Sequence, residues 1–243
     1  MAVTYGSTPA QSIYPKTIPG LQLWLDANDK NTIFDSNTGG SLVTTNGGLV
    51  GRWEDKSGNG RHALQSSSGV RPTLELNIQN NLNCMRFDGT NYFSSINTSS
   101  TTSAFIICVF KIDNDPPTST SFTGHPFGTI SNANSHSPWV DGIIYDATFT
   151  SGRKTTSNPS RSLTLFTMYS VQSQSNSWIS KINSIEFFNT TSNTFQNTSI
   201  FQNSSGAYKL KGYIGEIISY SPIPSIADIE KIQMYLNAKW RVY

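Results

Sequence analysis

The chain has 243 residues, 36% of them hydrophobic and 13% charged, and carries a formal net charge of +2. That length suits one large domain or two small ones, able to bury a core without disulfide or metal staples. The 17 basic residues form no run or basic amphipathic helix, which argues against nucleic acid as a partner and against membrane insertion.

Residues 1–19 read as an extended N-terminal arm, punctuated by Pro9, Pro15 and Pro19 and without helical or alternating periodicity. Its opening has neither a basic region nor an apolar stretch, so no export signal is expected. Tyr5, Tyr14 and Pro15 are its candidate assembly contacts. Over residues 20–26, Leu21, Leu23 and Leu25 alternate with Trp24, the pattern of a half-buried strand. Further strands are expected at 49–54, 73–76, 82–87 and 104–112, separated by Gly, Asn and Ser turns. Cys84 and Cys108 fall in such apolar stretches and read as buried, reduced thiols. Residues 113–138 form a long polar loop with a short strand at 127–130. Strands resume at 139–145, 163–171, 177–182, 185–189, 208–213 and 216–220. Ser, Thr and Asn fill the loops and make up about a third of the chain, while 12% aromatic residues oppose a disordered reading.

A single helix is expected at the C-terminus. Ser225 is its N-cap and Asp228 reaches back toward the cap. Ile226, Ile229, Ile232 or Met234, Leu236 and Trp240 supply the apolar stripe that closes over the strands. The expectation is therefore an all-β, two-sheet antiparallel sandwich over residues 20–243 with one C-terminal α-helix.

Two groups of motifs bracket this domain. Near the start stand Gly-Leu-Gln-Leu-Trp-Leu-Asp-Ala (20–27), Gly-Arg-Trp-Glu-Asp-Lys-Ser-Gly-Asn-Gly (51–60) and Met-Arg-Phe-Asp-Gly (85–89). Near the end stand Gly-Tyr-Ile-Gly-Glu-Ile-Ile-Ser-Tyr (212–220) and Tyr-Leu-Asn-Ala-Lys-Trp (235–240). The set resembles the concanavalin A-like lectin/glucanase superfamily in its laminin-G-like jelly-roll branch. The resemblance implies a jelly roll of the kind found in structural proteins of large DNA viruses and phages. Most of the motif residues also read as scaffold. Trp24, Trp53, Phe87 and Tyr220 are bulky enough to fill the space between sheets, and residues 55–60 form a glycine turn.

The superfamily includes glycoside hydrolases, which need two carboxyl groups facing one scissile bond. Glu54 and Asp55 are adjacent and so point to opposite faces, Glu186 and Glu216 stand alone in their strands, and Asp113 and Asp115 open the proline-rich loop. No enzyme is expected. His62, His125 and His136 lack the neighbours of a nucleophile relay or zinc site. Sugar binding would use aromatic faces beside planar polar groups, and Trp139, Asp141, Tyr145 and Trp178 are the candidates. No cofactor is required. Calcium is the one metal alternative, implied by laminin-G-like relatives, with Asp26, Asp29 and Asp35 as ligands. The expected role is a non-enzymatic virion surface component (minor capsid, decoration or fibre protein), made in the host cytoplasm. Its expected partners are other capsid or surface proteins and host glycans. The alternatives are a free carbohydrate-binding module or adhesin of a microbe, and a glycan hydrolase or lyase with an atypical site.

Overall fold

The computed structural model describes residues 14–98, 100–115, 124–127, 130–131, 133–201 and 209–243. Its centre is a nine-stranded antiparallel sheet. The strands are β1 (Leu21–Asp26), β2 (Gly48–Leu49), β3 (Thr73–Gln79), β4 (Leu82–Asp88), β5 (Ser103–Ile112), β6 (Thr167–Gln174), β7 (Ser177–Ile182), β8 (Ile185–Thr190) and β9 (Lys211–Tyr220). They run in the order β8-β7-β6-β5-β9-β4-β3-β2, and β1 joins the same sheet by pairing with β9. One edge of β9 is shared, with Lys211–Ile214 opposite β4 and Glu216–Tyr220 opposite β1.

The sheet is buried on both faces, and β5 shows why. Ala104, Ile106, Cys108, Phe110 and Ile112 enter one apolar cluster, while Phe105, Ile107 and Val109 enter the other. The strict period of two sends successive side chains to opposite sides. Over the first face lie short strand pairs: Ile33–Phe34 with Arg52–Trp53 and Ala63–Leu64, and Tyr145–Asp146 with Lys154–Thr155. Trp53, Phe87, Phe93 and Phe201 fill the interior there. The second face is covered by the helix α2 (Ile226–Trp240), with Trp24, Tyr220, Leu236 and Trp240 between them. The molecule is an all-β sandwich with one C-terminal helix.

Several expected elements move. Residues 49–54 split at Val50-Gly51, because Leu49 stays in the large sheet while Arg52 and Trp53 join the short-strand layer. The strands expected at 208–213 and 216–220 are one strand, β9, with a register shift between Ile214 and Glu216. That bulge turns Gly215 and Glu216 toward the same helix-covered face, where a Cβ on Gly215 would stand 2.7 Å from the Trp240 ring. On α2 the Ser225 cap forms as expected, accepting the Asp228 amide. Ile226 and Met234 are solvent-facing, at 79% and 71% exposure, and Ile232 and Tyr235 take the inner face. Trp24 and Tyr220 pack beneath the helix, not between the strand layers.

Part of the expected arm is folded onto the domain. Tyr14–Thr17 make one helical turn, α1, and Pro15 is buried with its carbonyl accepting the Tyr220 hydroxyl at 2.8 Å. Pro15 is therefore committed to its own chain. Tyr5 lies outside the described residues.

Gly215→Ala should force Trp240 out of its seat and cost about 1–3 kcal/mol, the usual penalty for overpacking a dense core. Urea denaturation checks this, and an unchanged midpoint would show that Trp240 has room to retreat.

Candidate functional site

The expected sugar-binding aromatics separate into two environments. Trp178 is fully buried on β7, with its indole Nε1 donating to the Thr148 carbonyl at 2.9 Å and its ring edge-on to Phe188. It belongs to the core, since an inward position on β7 faces the short-strand layer. The reading of Trp178 as a ligand contact is wrong.

Trp139, Asp141 and Tyr145 do come together, although residues 139–145 form no single strand. The chain turns at Trp139, where the Trp139 amide donates to the Ile143 carbonyl and the Gly142 amide donates back to Trp139, both at 2.9 Å. Gly142 makes the turn with φ of 83°, and a side chain there would collide with the Asn158 amide. Asp141 then accepts the Ile143 amide at 2.9 Å and the Tyr145 hydroxyl at 2.8 Å. That hydrogen bond, more than desolvation, raises the Tyr145 phenol above its usual pKa and keeps it protonated. His136 lies behind with its ring centroid 4.3 Å from that of Trp139, and the Arg153 guanidinium sits 4.5 Å above the Tyr145 ring. Trp139 and Tyr145 are half-buried while Asp141 and Arg153 are exposed. The result is a surface patch of two aromatic faces, one carboxylate and one guanidinium. Arg153 carries no local mark in the sequence: it lies eight residues beyond Tyr145 and arrives by the pairing of Tyr145–Asp146 with Lys154–Thr155.

The three aspartates considered for calcium do not form a cation site. Asp26 and Asp29 both bind Lys56, at 2.9 and 2.8 Å, and Asp26 also binds Lys239 at 2.7 Å. Asp35 belongs to another turn, where it accepts the Ser41 amide. Among the described residues no three His, Cys, Asp or Glu side chains are arranged to hold a metal. Two ammonium groups already fill the positions a hard cation would take, so the donor set does not fit calcium.

Those lysines belong to a network that the sequence did not reveal. Glu216 is fully buried, and Oε1 accepts Trp24 Nε1 at 2.7 Å and the Tyr235 hydroxyl at 2.8 Å. Oε2 accepts Lys239 Nζ at 2.7 Å and Trp240 Nε1 at 2.8 Å. The only signal was a lone charge inside an otherwise apolar strand, which demands buried partners. Beside the network lies an open recess of about 600 Å³, lined in part by Asp26, Asn28, Lys56, Asn83 and Lys239. Asp26 and Glu216 are the close acids there. Lys239 stands between them and Glu216 has no exposed surface, which leaves no place for a sugar linkage to lie across the pair.

The histidines serve the scaffold. His62 Nδ1 accepts the Asp55 amide, while Asp55 accepts the amides of Trp24, Ser57 and Arg61 and so ties the glycine turn to β1. His125, at one end of the long loop, is buried with Nε2 3.2 Å from Asp146 Oδ2. His136 is buried as well. Burial alone would raise the Asp146 carboxyl, but facing His125 and the hydrogen bonds from Thr148 and Tyr169 outweigh it and hold it below 3.8.

No protein-family model matches the sequence, and none of the curated proteins does. Solved structures share the fold. Domain 4 of an extracellular arabinanase from Geobacillus stearothermophilus, in complex with arabinotriose, aligns over 88% of this chain and 98% of its own, with a TM-score of 0.51 and 12% identity. The binding domain of botulinum neurotoxin serotype D aligns over 93% of this chain and 52% of its own, with a TM-score of 0.52 and 13% identity. A Trypanosoma rangeli sialidase aligns over 98% of this chain and 36% of its own, with a TM-score of 0.56 and 10% identity. The chain thus matches nearly the whole arabinanase domain but only about half and about a third of the other two. These neighbours are all-β domains of carbohydrate-active or binding proteins.

A depressed folded-state pKa gives Asp146 a stabilising role that is complete above the unfolded value and lost as pH falls through the folded one. Asp146→Asn should therefore lower the urea midpoint at neutral pH, with a gap from wild type that narrows below about pH 4. An equal gap at both pH values would assign the loss to packing alone.

Proposed function

We propose that this chain is a non-catalytic, glycan-binding β-sandwich domain of a virion surface protein, with Trp139, Asp141, Tyr145 and Arg153 as its contact surface. The observation that carries the binding site is the Asp141–Tyr145 hydrogen bond of 2.8 Å beside two half-buried aromatic rings at the surface. It fixes a ring and a carboxylate in advance, so little side-chain entropy is lost when a sugar docks. Aromatic faces cover the apolar C–H side of a pyranose or furanose, while Asp141 and Arg153 engage hydroxyls. The arabinanase domain supports this reading, because it aligns over nearly its whole length and is complexed with an arabinose trisaccharide. The lysine-neutralised carboxylates favour binding without hydrolysis. The motifs around Trp24, Asp55, Glu216 and Lys239 support the reading by their resemblance to laminin-G-like jelly rolls, and the particle setting rests on analogy with the viral and phage members of that group.

A glycan array probed with the purified chain should show a defined set of bound sugars. Trp139→Ala should weaken binding at least about tenfold, roughly 1.4 kcal/mol, and Tyr145→Phe should weaken it less. Wild-type silence across the array, or unchanged binding by Trp139→Ala, would remove the patch as a glycan site. Peptide mass spectrometry of purified particles from the source should find the chain as a surface component, and its absence would remove the virion setting.

A further inference from the structure

The Glu216 network also brings the Lys239 amine against two carboxyl groups, and despite burial the ion pairing holds Lys239 above and Asp26 below their ordinary pKa values. Lys239 Nζ lies 2.7 Å from Asp26 Oδ1 and 2.7 Å from Glu216 Oε2. Lys56 Nζ lies 2.9 Å from the other Asp26 oxygen. The side chains of Lys239, Asp26 and Glu216 are 11%, 6% and 0% exposed. Around them stand Trp24, Tyr235 and Trp240, each at most 7% exposed.

We propose that Lys239 and Asp26 condense into an intramolecular isopeptide bond, with Glu216 moving the protons and Lys56 stabilising the charge on the Asp26 oxygen. The resting groups are an ammonium and a carboxylate. Glu216 accepts a proton from Lys239 Nζ, and the freed electron pair attacks Asp26 Cγ to form the C–N bond. Negative charge gathers on the oxygen facing Lys56. Glu216 returns its proton to the departing Asp26 oxygen, which takes a second proton from the nitrogen as the C–O bond breaks. Two of the three ammonium protons and one carboxylate oxygen leave as one water molecule. Net charge is unchanged, and no oxidant or activated co-reactant is consumed.

Three features favour the step. The fold holds amine and carboxyl together, replacing a bimolecular encounter by a positioned one. Burial and the neighbouring Asp26 charge push the Glu216 carboxyl above its ordinary value, strengthening it as a proton acceptor. The open recess beside Asp26 and Lys239 lets the water escape. The bond would join β1 to α2 near the two ends of the domain, closing most of the chain into one covalent loop.

Intact-mass measurement of the folded full chain is the direct test. The wild-type chain should be lighter than its sequence by one water, and a protease digest should yield a branched peptide joining Asp26 to Lys239. Lys239→Arg keeps the positive charge but cannot form this amide, and it should restore the full mass. Glu216→Gln should do the same where it folds. Wild-type protein at full sequence mass after prolonged incubation would overturn the proposal. So would a water loss mapped to Asp88 or Asp141, each followed by a glycine that favours succinimide formation, or a branch at Lys56.

Discussion

Glu216 has no exposed surface, yet it sits between a nine-stranded sheet and the only long helix among the described residues. Taking a carboxylate that far from water costs several kcal/mol, and a single partner would not recover it. Four donors meet it instead, from Trp24 on β1 and from Tyr235, Lys239 and Trp240 on α2. Hydrogen bonds to a charged acceptor contribute about 1.5–3 kcal/mol each, so four of them offset the burial. The requirement also works as a constraint. Register of β1 against β9 and rotation of α2 must both be right, or the carboxylate is stranded. Lys239 extends the network to Asp26, and Asp26 extends it to Lys56 in the glycine turn.

This anchoring explains how sequence-distant motifs become one structure. The bulge at Gly215 turns Glu216 toward the helix, and the missing Cβ at 215 lets Trp240 approach the strand. Asp55 then fixes the turn of residues 55–60 to the Trp24 amide. The exposed patch around Trp139 sits on the other layer and shares none of these bonds. A rigid frame with function on its connecting turns is the usual division in β-sandwiches. Here the turn at 139–142 is itself braced by Asp141, which accepts the Ile143 amide, and by the paired backbone bonds of Trp139.

Strand identity was readable from short apolar or alternating stretches bounded by turn residues. In β5 nearly every side chain is apolar because both faces are covered, while β1 alternates Leu23 and Leu25 with Trp24 on the other side. The helix was readable from its cap, since Ser225 and Asp228 interact locally. Its inner face was harder. Tyr235 turns inward because Glu216 needs its hydroxyl, whereas Met234, more apolar, faces solvent. Trp139, Asp141 and Tyr145 share one turn because they lie close in sequence, whereas the burial of Trp178 was unreadable because an aromatic residue on a strand has no local mark of inside or outside.

The sequence by itself determined an all-β chain with a capped C-terminal helix, through alternation, glycine turns and capping, all interactions spanning a few residues. Only the tertiary structure decided which charges meet. Asp26, Lys56, Glu216 and Lys239 come from four separate segments, and their neutralisation depends on angles and distances fixed when the layers close. Electrostatic interaction falls with distance in space and takes no account of separation along the chain, so no local pattern could have announced that two of the acids suspected of holding calcium, Asp26 and Asp29, were already held by lysines.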